Sequence, residues 1–184
     1  MQWVLNSDCI ATFIEPVSEV FLKLRKNYEE ALPSSTRLSF YNIAMSDVTQ
    51  KTTFFAVSDN AKNELGDLVP NWINQLGSVD REHILKHLDG ILEPYIYEFE
   101  IETSTLDDFL ESNNISKVDV LHIDAEGHDY RIFSTLNMSR YQPRIILIEY
   151  KHLDSNELKS LIEILSSNQY EITKFRSDIL ATKN

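Results

Sequence analysis

The feature of this sequence that most constrains its fold is a short apolar run that ends abruptly in acids. Residues 118–130 read VDVLHIDAEGHDY, and the apolar run through Ile123 is followed directly by Asp124 and Glu126. This pattern predicts a buried parallel strand that ends in a polar loop, with His122 as a core histidine inside the strand. Ligands of open α/β sheets bind at the carboxyl ends of the strands. These two acids are therefore better site candidates than acids elsewhere.

The composition and charge exclude several classes of protein. A chain of 184 residues with 42% hydrophobic residues predicts a single domain over residues 1–184. The formal net charge of -12, without a cluster of Lys and Arg, argues against binding to nucleic acid or to an anionic membrane. No apolar run approaches the roughly 20 residues of a membrane span, and no signal peptide is recognisable. The single cysteine, Cys9, is consistent with a reducing compartment, so we predict a cytoplasmic protein.

Apolar patterning and turn residues predict an alternation of strands and helices along the chain. The predicted strands are residues 10–14, 38–44, 51–57, 95–101, 118–123, 145–150, 170–175 and 179–182. The predicted helices are residues 18–30, 80–88, 128–136 and 155–165, with a further helix from Leu106. Ser18 and Ser155 are the expected N-caps of their helices. The last two strands are predicted to pair as a hairpin across Arg176, Ser177 and Asp178.

A long segment at about residues 58–94 interrupts this alternation. It begins with a polar stretch, continues through PNWINQLGS at residues 70–78 and ends near Gly90. Long insertions in compact domains are commonly lids or binding loops. We therefore predict a lid over the site, of which the part from Trp72 to His87 should be labile and dispensable for folding.

Four further motifs make the chain resemble a known family. IDAEG at residues 123–127 is preceded by TLDDFL at 105–110 and followed by RIILIE at 144–149, while FIEP at 13–16 and NIAMSD at 42–47 lie upstream. In this order, the motifs resemble the FkbM family of S-adenosylmethionine-dependent methyltransferases. The resemblance implies an α/β fold with a Rossmann-like class I methyltransferase sheet, mostly parallel and closed by a C-terminal antiparallel hairpin.

The resemblance also implies where the cofactor would bind. Glu15 lies at the predicted end of a strand, where dinucleotide-binding folds place an acid that accepts hydrogen bonds from ribose hydroxyls. Ile43 and Ala44 would lie against the adenine by the same likeness. The alternatives are a surface acid before a turn for Glu15 and ordinary packing at a strand end for the other two residues.

Asp124 and Glu126 are the predicted catalytic residues. Glu149 and His152 lie at the end of the strand that should run beside residues 118–123, so both are expected near the same crevice as substrate-binding residues. Such a group can act as a general base toward a hydroxyl or hold a divalent cation. Like charges held close together should raise at least one carboxyl pKa. The alternative for Glu126 is that it stabilises the start of the following helix.

Three residues of the lid segment are further substrate-binding candidates. Ser78, His83 and His87 belong to a W…LGS…H…H stretch similar to one in some FkbM relatives. The two histidines are four residues apart, so a helix would place them on one face. No glutamate follows the first histidine as it would in H-E-x-x-H, and a third ligand is missing, so we predict no metal site.

One part of the family pattern is absent. The family fold begins with a strand and a glycine-rich loop, whereas no glycine of this chain precedes Gly66. We therefore expect an N-terminally incomplete sheet: the sequence is truncated, another chain supplies the element, or the protein is inactive. The open strand edges make self-association an expectation. The chain alone should bind S-adenosylmethionine weakly or not at all.

These observations predict S-adenosylmethionine-dependent O-methylation of a hydroxyl on a small molecule or glycan. Methyl transfer depends mostly on alignment, so few catalytic residues are needed. The main alternative is a non-catalytic or truncated methyltransferase-like remnant that acts as a partner-binding subunit. A metal-assisted hydrolase built on the same carboxylates is a third possibility.

Overall fold

A computed structural model describes residues 2–33 and 35–183 of the chain. The chain divides into two compact units. Unit 1 comprises the described residues of Met1–Ala44 and Lys51–Glu102, and unit 2 those of Met45–Gln50 and Thr103–Asn184. This division does not decide whether the chain is one domain, which stays a prediction.

Helices and strands are both well represented in the described residues. The strands are β1 (Ala11–Ile14), β2 (Leu38–Tyr41), β3 (Ala44–Met45), β4 (Gln50–Val57), β5 (Gly77–Ser78), β6 (Ile96–Ser104), β7 (Val120–Ile123), β8 (Ile145–Glu149), β9 (Glu171–Phe175) and β10 (Asp178–Thr182). The α-helices are α1 (Gln2–Leu5), α2 (Ser18–Ala31), α3 (Asn60–Leu65), α4 (Arg81–Lys86), α5 (Leu106–Ser112), α6 (Asp129–Ser134) and α7 (Ser155–Ser167). Short 3₁₀ helices occupy Gly66–Leu68, Ile73–Gln75, His87–Gly90 and Glu93–Tyr95. Within the described ranges, no helix is long and apolar enough to cross a membrane.

The strands form three sheets of mixed character. β1 pairs with β2 in parallel, and a second sheet has the order β3-β6-β4-β5, in which β4 and β5 are antiparallel. The third sheet has the order β7-β8-β10-β9, with β7 parallel to β8 and β10 antiparallel to both neighbours. The α/β class and the C-terminal hairpin are as predicted. The sheets were expected to be mostly parallel, but parallel pairs do not predominate. The two-residue turn between β9 and β10 is one reason, because a tight turn can join only antiparallel strands.

In unit 1, the first strands and α2 pack through aromatic side chains. The Phe13 ring lies 4.4 Å from the Tyr28 ring and 5.2 Å from the Phe40 ring, measured between centroids. The predicted strand 38–44 is interrupted after Tyr41, because the side chain of Asn42 bonds to the backbone elsewhere. Its Nδ2 donates to the carbonyl oxygens of Glu15 and Pro16, at 2.8 and 2.9 Å. These two hydrogen bonds hold the backbone that follows β1, where the candidate site residue Glu15 lies.

Residues 58–94 fold into short helices and a strand instead of an irregular loop. β5 extends the sheet by pairing with β4. Ile73, Leu76, Ile84 and Leu92 are fully buried in one hydrophobic cluster. The helix predicted at 80–88 is shorter than expected, because α4 ends at Lys86 and left-handed residues follow it. The segment therefore contributes to a hydrophobic core that it shares with Val57 of β4, which the lid prediction did not anticipate.

In unit 2, one face of the third sheet is buried and the other is exposed. The buried face includes Ile123, Ile146 and Ile148, whereas Val120 and His122 are exposed. Side chains alternate between the two faces of a strand, so Val120 and His122 lie on the face of β7 opposite to Ile123. The prediction that β7 is buried throughout, with His122 in the core, was wrong. In the described residues the face of β7 that carries Val120 and His122 is not covered, so both side chains meet solvent.

Candidate functional site

The loop after β7 is held in shape by a buried carboxylate that the sequence analysis did not single out. Asp129, the first residue of α6, is 1% exposed. Its Oδ1 accepts a hydrogen bond from Ala125 N at 3.0 Å, and its Oδ2 accepts one from Gly127 N at 2.9 Å. Asp129, and not Glu126, therefore accepts the hydrogen bonds from the backbone just before α6. Glu126 has a left-handed backbone, with φ of 49°, which is uncommon for a residue other than glycine.

Glu126 lies close to Glu149, the last residue of β8, and to His152, which follows β8. Its Oε2 is 3.9 Å from His152 Nε2, and the same nitrogen is 3.9 Å from Glu149 Oε2. β7 and β8 are parallel neighbours, so their carboxyl ends meet at one edge of the sheet and bring these side chains together. Both distances are too long for hydrogen bonds. The side chain of His152 therefore lies near both glutamates without a hydrogen bond to either of these two oxygens.

Burial and neighbouring negative charges raise the pKa of Glu126 and of Glu149. Burial, followed by the charges of Asp124, Glu126 and Asp129, raises the pKa of Glu149 to about 7. Burial is also the largest cause of the raised pKa of Glu126, with Asp124 and Asp129 adding to it. The positive charge of Lys151 opposes both shifts. The expectation that crowded carboxylates raise a pKa is confirmed, and the group would be stabilised by a bound cation or hydrogen-bond donor.

Asp124 differs from the other acids of the loop by being accessible. It directly follows β7 and its side chain is exposed. Its charge nevertheless contributes to the raised pKa of Glu126, Glu149 and Asp129. A ligand approaching the strand ends from solvent can therefore reach Asp124 directly.

Glu15, the candidate ribose-binding residue, lies directly after β1 and is partly buried. Val17 N donates a hydrogen bond to its Oε1 at 2.8 Å, and Glu15 N donates to Tyr41 O at 3.1 Å. Burial raises the pKa of the Glu15 carboxyl to about 7, although the hydrogen bond from Val17 opposes the shift. Its position at a strand end is as predicted, and its role stays a prediction.

The two candidate adenine-binding residues are placed differently. Ile43 lies in the interruption between β2 and β3 and is partly buried. Ala44 is buried in a hydrophobic cluster that includes Val17, Phe54 and Ile101. Ala44 therefore has a packing role whatever else it does, whereas Ile43 retains exposed surface.

The candidates in residues 58–94 form two local arrangements. Ser78 is buried, and its Oγ accepts a hydrogen bond from Asp80 N at 3.1 Å. His83 and His87 are adjacent as predicted, with their Nε2 atoms 3.3 Å apart and their ring centroids separated by 5.1 Å. Their roles in substrate binding stay predictions.

Two positioning residues were missed by the sequence analysis, namely Asn42 and Asp129. A weak signal existed for Asp129, since acids are common at helix starts and one stands directly before the predicted apolar face. No comparable signal marks Asn42, because its partners, Glu15 and Pro16, are 27 and 26 residues away in the sequence.

Comparison with known proteins identifies the family. A family model described as the methyltransferase FkbM domain matches residues 4–172. No curated protein and no solved structure gives a significant match. The matched range covers most of the 184 residues and includes both the Glu15 region and the acid-rich loop after β7. The chain therefore belongs to the FkbM methyltransferase family.

Proposed function

We propose that this protein is an S-adenosylmethionine-dependent methyltransferase that methylates a hydroxyl group of a small molecule or glycan. The observation that carries the proposal is the exposed Asp124, whose charge contributes to the raised pKa of the partly buried Glu126 and Glu149, in a chain of a methyltransferase family. A hydroxyl acceptor must lose its proton as it is methylated, and a carboxylate at the mouth of an acid-rich loop can take that proton.

The residues of unit 1 are compatible with the nucleoside part of the cofactor. Within the described residues, the Glu15 side chain accepts one hydrogen bond, from Val17 N to Oε1. Its second carboxylate oxygen therefore has capacity for hydroxyl donors such as those of a ribose. The apolar side chain of Ile43 would contact the adenine. No described residue is assigned to the methionine part of the cofactor.

The residues of unit 2 would act on the acceptor. When bound, the cofactor supplies an electrophilic methyl group on a sulfonium sulfur. Asp124 accepts the proton that the acceptor hydroxyl loses. Glu126, Glu149 and His152 orient the hydroxyl through polar contacts, so catalysis depends mainly on alignment.

Ligand-observed NMR with millimolar S-adenosylmethionine tests the cofactor assignment, since this technique detects the weak binding expected without a glycine-rich loop. We expect saturation transfer from the protein to the adenosine protons, with a clear loss in Glu15→Gln. Glu19→Gln is the matched control, because Glu19 is exposed in the first turn of α2. Equal transfer in the wild type and Glu15→Gln would remove Glu15 from the site.

Transfer of a labelled methyl group to a panel of glycans and hydroxylated small molecules tests the reaction. Asp124→Asn should abolish product formation while leaving cofactor binding unchanged. Asp119→Asn is a suitable control, because Asp119 directly precedes β7 and its side chain is 54% exposed. Product formation at the wild-type rate by Asp124→Asn would exclude Asp124 as the base.

A non-catalytic, partner-binding subunit is the second candidate function. The burial of Ala44, a predicted adenine-binding residue, in a hydrophobic cluster favours it, because a buried side chain offers little surface to a ligand. Complete absence of saturation transfer from the protein to the cofactor would support this alternative against the enzyme.

A further inference from the structure

We propose that Glu126, Glu149 and His152 form a binding site for one divalent transition-metal ion, such as Mn²⁺ or Zn²⁺. The three side chains come from two segments, the loop after β7 and the chain at and after the end of β8. One oxygen from each carboxylate and one imidazole nitrogen all lie within 4.8 Å of one another. The site lies wholly within unit 2.

The distances between the ligand atoms of Glu126, Glu149 and His152 fit coordination of an ion better than direct hydrogen bonds. His152 Nε2 is 3.9 Å from an oxygen of each glutamate, beyond hydrogen-bond distance. Two ligands bound at about 2.1 Å to a tetrahedral ion lie roughly 3.4 Å apart. His152 and each glutamate therefore need to close by about 0.5 Å, and the two glutamate oxygens, which lie within 4.8 Å of each other, by at most about 1.4 Å. Rotation of the glutamate side chains can provide both movements.

A buried oxygen of Glu149 independently points to a ligand. Only 15% of the Glu149 side chain is exposed. Its Oε2 is buried and accepts no hydrogen bond from the described residues. A buried carboxylate oxygen without a donor costs free energy, which coordination to a cation would recover.

The donor set indicates the class of ion. Two carboxylates and one imidazole combine the oxygen ligands that Mn²⁺ accepts with the nitrogen ligand that Zn²⁺ and other transition ions prefer. Mg²⁺ and Ca²⁺ prefer oxygen ligands alone. The neighbouring carboxylates of Asp124 and Asp129 add negative charge that favours a divalent ion.

Three protein ligands leave coordination positions open. In the proposed methyltransferase, an acceptor hydroxyl would occupy one of them beside Asp124, and the ion would ease the loss of the hydroxyl proton. This role rests on the proposed function, whereas binding of the ion does not. Metal binding is therefore measured without cofactor or acceptor.

The experiment is titration of the metal-free wild-type protein with Mn²⁺, monitored by calorimetry and by loss of the free-ion EPR signal. The titration is repeated with Zn²⁺ and monitored by calorimetry alone, because Zn²⁺ gives no EPR signal. We expect saturable one-to-one binding with a dissociation constant below about 1 mM, the range of weak carboxylate sites. Mg²⁺ should bind at least about 10-fold more weakly than Mn²⁺, given the imidazole ligand. No saturable binding of either transition ion to the wild type would overturn the proposal.

Variants locate the bound ion. Glu149→Gln and His152→Gln should each weaken binding by about 10-fold or more. Glu163→Gln and His122→Gln make the same chemical changes at exposed positions of unit 2 and should leave binding unchanged. His83→Gln tests the adjacent histidine pair of unit 1 as a competing site. Loss of binding in His83→Gln with retention in Glu149→Gln would overturn the proposal, as would equal losses in Glu163→Gln and Glu149→Gln.

Folding is checked for every variant by circular dichroism and urea unfolding. Should Glu149→Gln fail to fold, Glu126→Gln provides the second test, because the exposed fraction of the Glu126 side chain is larger, at 27%. Unchanged affinity of a folded Glu126→Gln would then overturn the proposal.

Discussion

Replacement of Glu15 by Gln should stabilise the protein above pH 7. The pKa of this carboxyl is raised from 4.5 to about 7, mainly by burial. Between these two values the folded state retains a proton that the unfolded state has released, so stability falls as the pH rises through this window and is lowest above it. A shift of this size corresponds to about 3 kcal/mol of destabilisation at pH 8.

Urea unfolding at pH 8 and pH 5 measures the effect. Gln keeps an oxygen that can accept the hydrogen bond from Val17 N, so the substitution removes mainly the charge. Glu15→Gln should be about 3 kcal/mol more stable than the wild type at pH 8, and less than about 1 kcal/mol more stable at pH 5. Glu19→Gln, in the exposed first turn of α2, should change stability little at either pH.

The reasoning would be refuted if Glu15→Gln changed stability by the same amount at both pH values, or destabilised the protein at pH 8. The expected pattern also bears on function. A carboxylate that weakens the fold is understandable if a ligand uses it, since functional residues are often unfavourable for stability. Combined with a loss of cofactor binding in the same variant, the pattern would mark Glu15 as a binding residue.

Three further substitutions test the packing of side chains and the hydrogen bonds of the loop after β7. Ile84→Ala should destabilise the protein by about 2 to 5 kcal/mol in urea unfolding, because Ile84 is fully buried, and Leu68→Ala, at 70% exposure, should cost little. Gly77→Ala should cost about 1 to 3 kcal/mol, since its Cβ would lie 2.6 Å from a ring carbon of Phe54; unchanged stability would contradict that contact. Asp129→Ala should cost about 1 to 3 kcal/mol by removing the acceptor of two backbone N–H groups, and faster amide exchange in the preceding loop should accompany it.

The order of strands and helices could be predicted because it depends on local patterns. The apolar stripe of α2 and the short connection between β9 and β10 are properties of neighbouring residues. Capping details were less accurate. Asp154, and not Ser155, is the N-cap of α7, and it forms a capping box with Glu157. A serine and an aspartate side by side are both good caps, so the sequence alone could not choose between them.

Features that depend on distant partners could not be predicted. The interruption after β2 exists because Asn42 binds the backbone at Glu15 and Pro16. The exposure of His122 depends on whether another layer covers that face of β7, and in the described residues none does. Likewise, residues 58–94 are polar overall, so their composition did not indicate a core. Apolar residues that lie apart in the sequence, among them Ile73 and Ile84, nevertheless meet in one cluster. Periodicity within a short window carries no information on such contacts.

The candidate residues at strand ends share an electrostatic property that a stability argument alone does not explain. Glu15 follows β1 and Glu149 ends β8, and burial raises the pKa of each carboxyl to about 7. At neutral pH each carboxylate therefore costs folding free energy that a neutral side chain of similar shape would not. Neither is among the described carboxylates that form an ion pair with Lys or Arg. Such groups become favourable once a ligand supplies hydroxyl donors or positive charge, which are the chemistries proposed for the two positions.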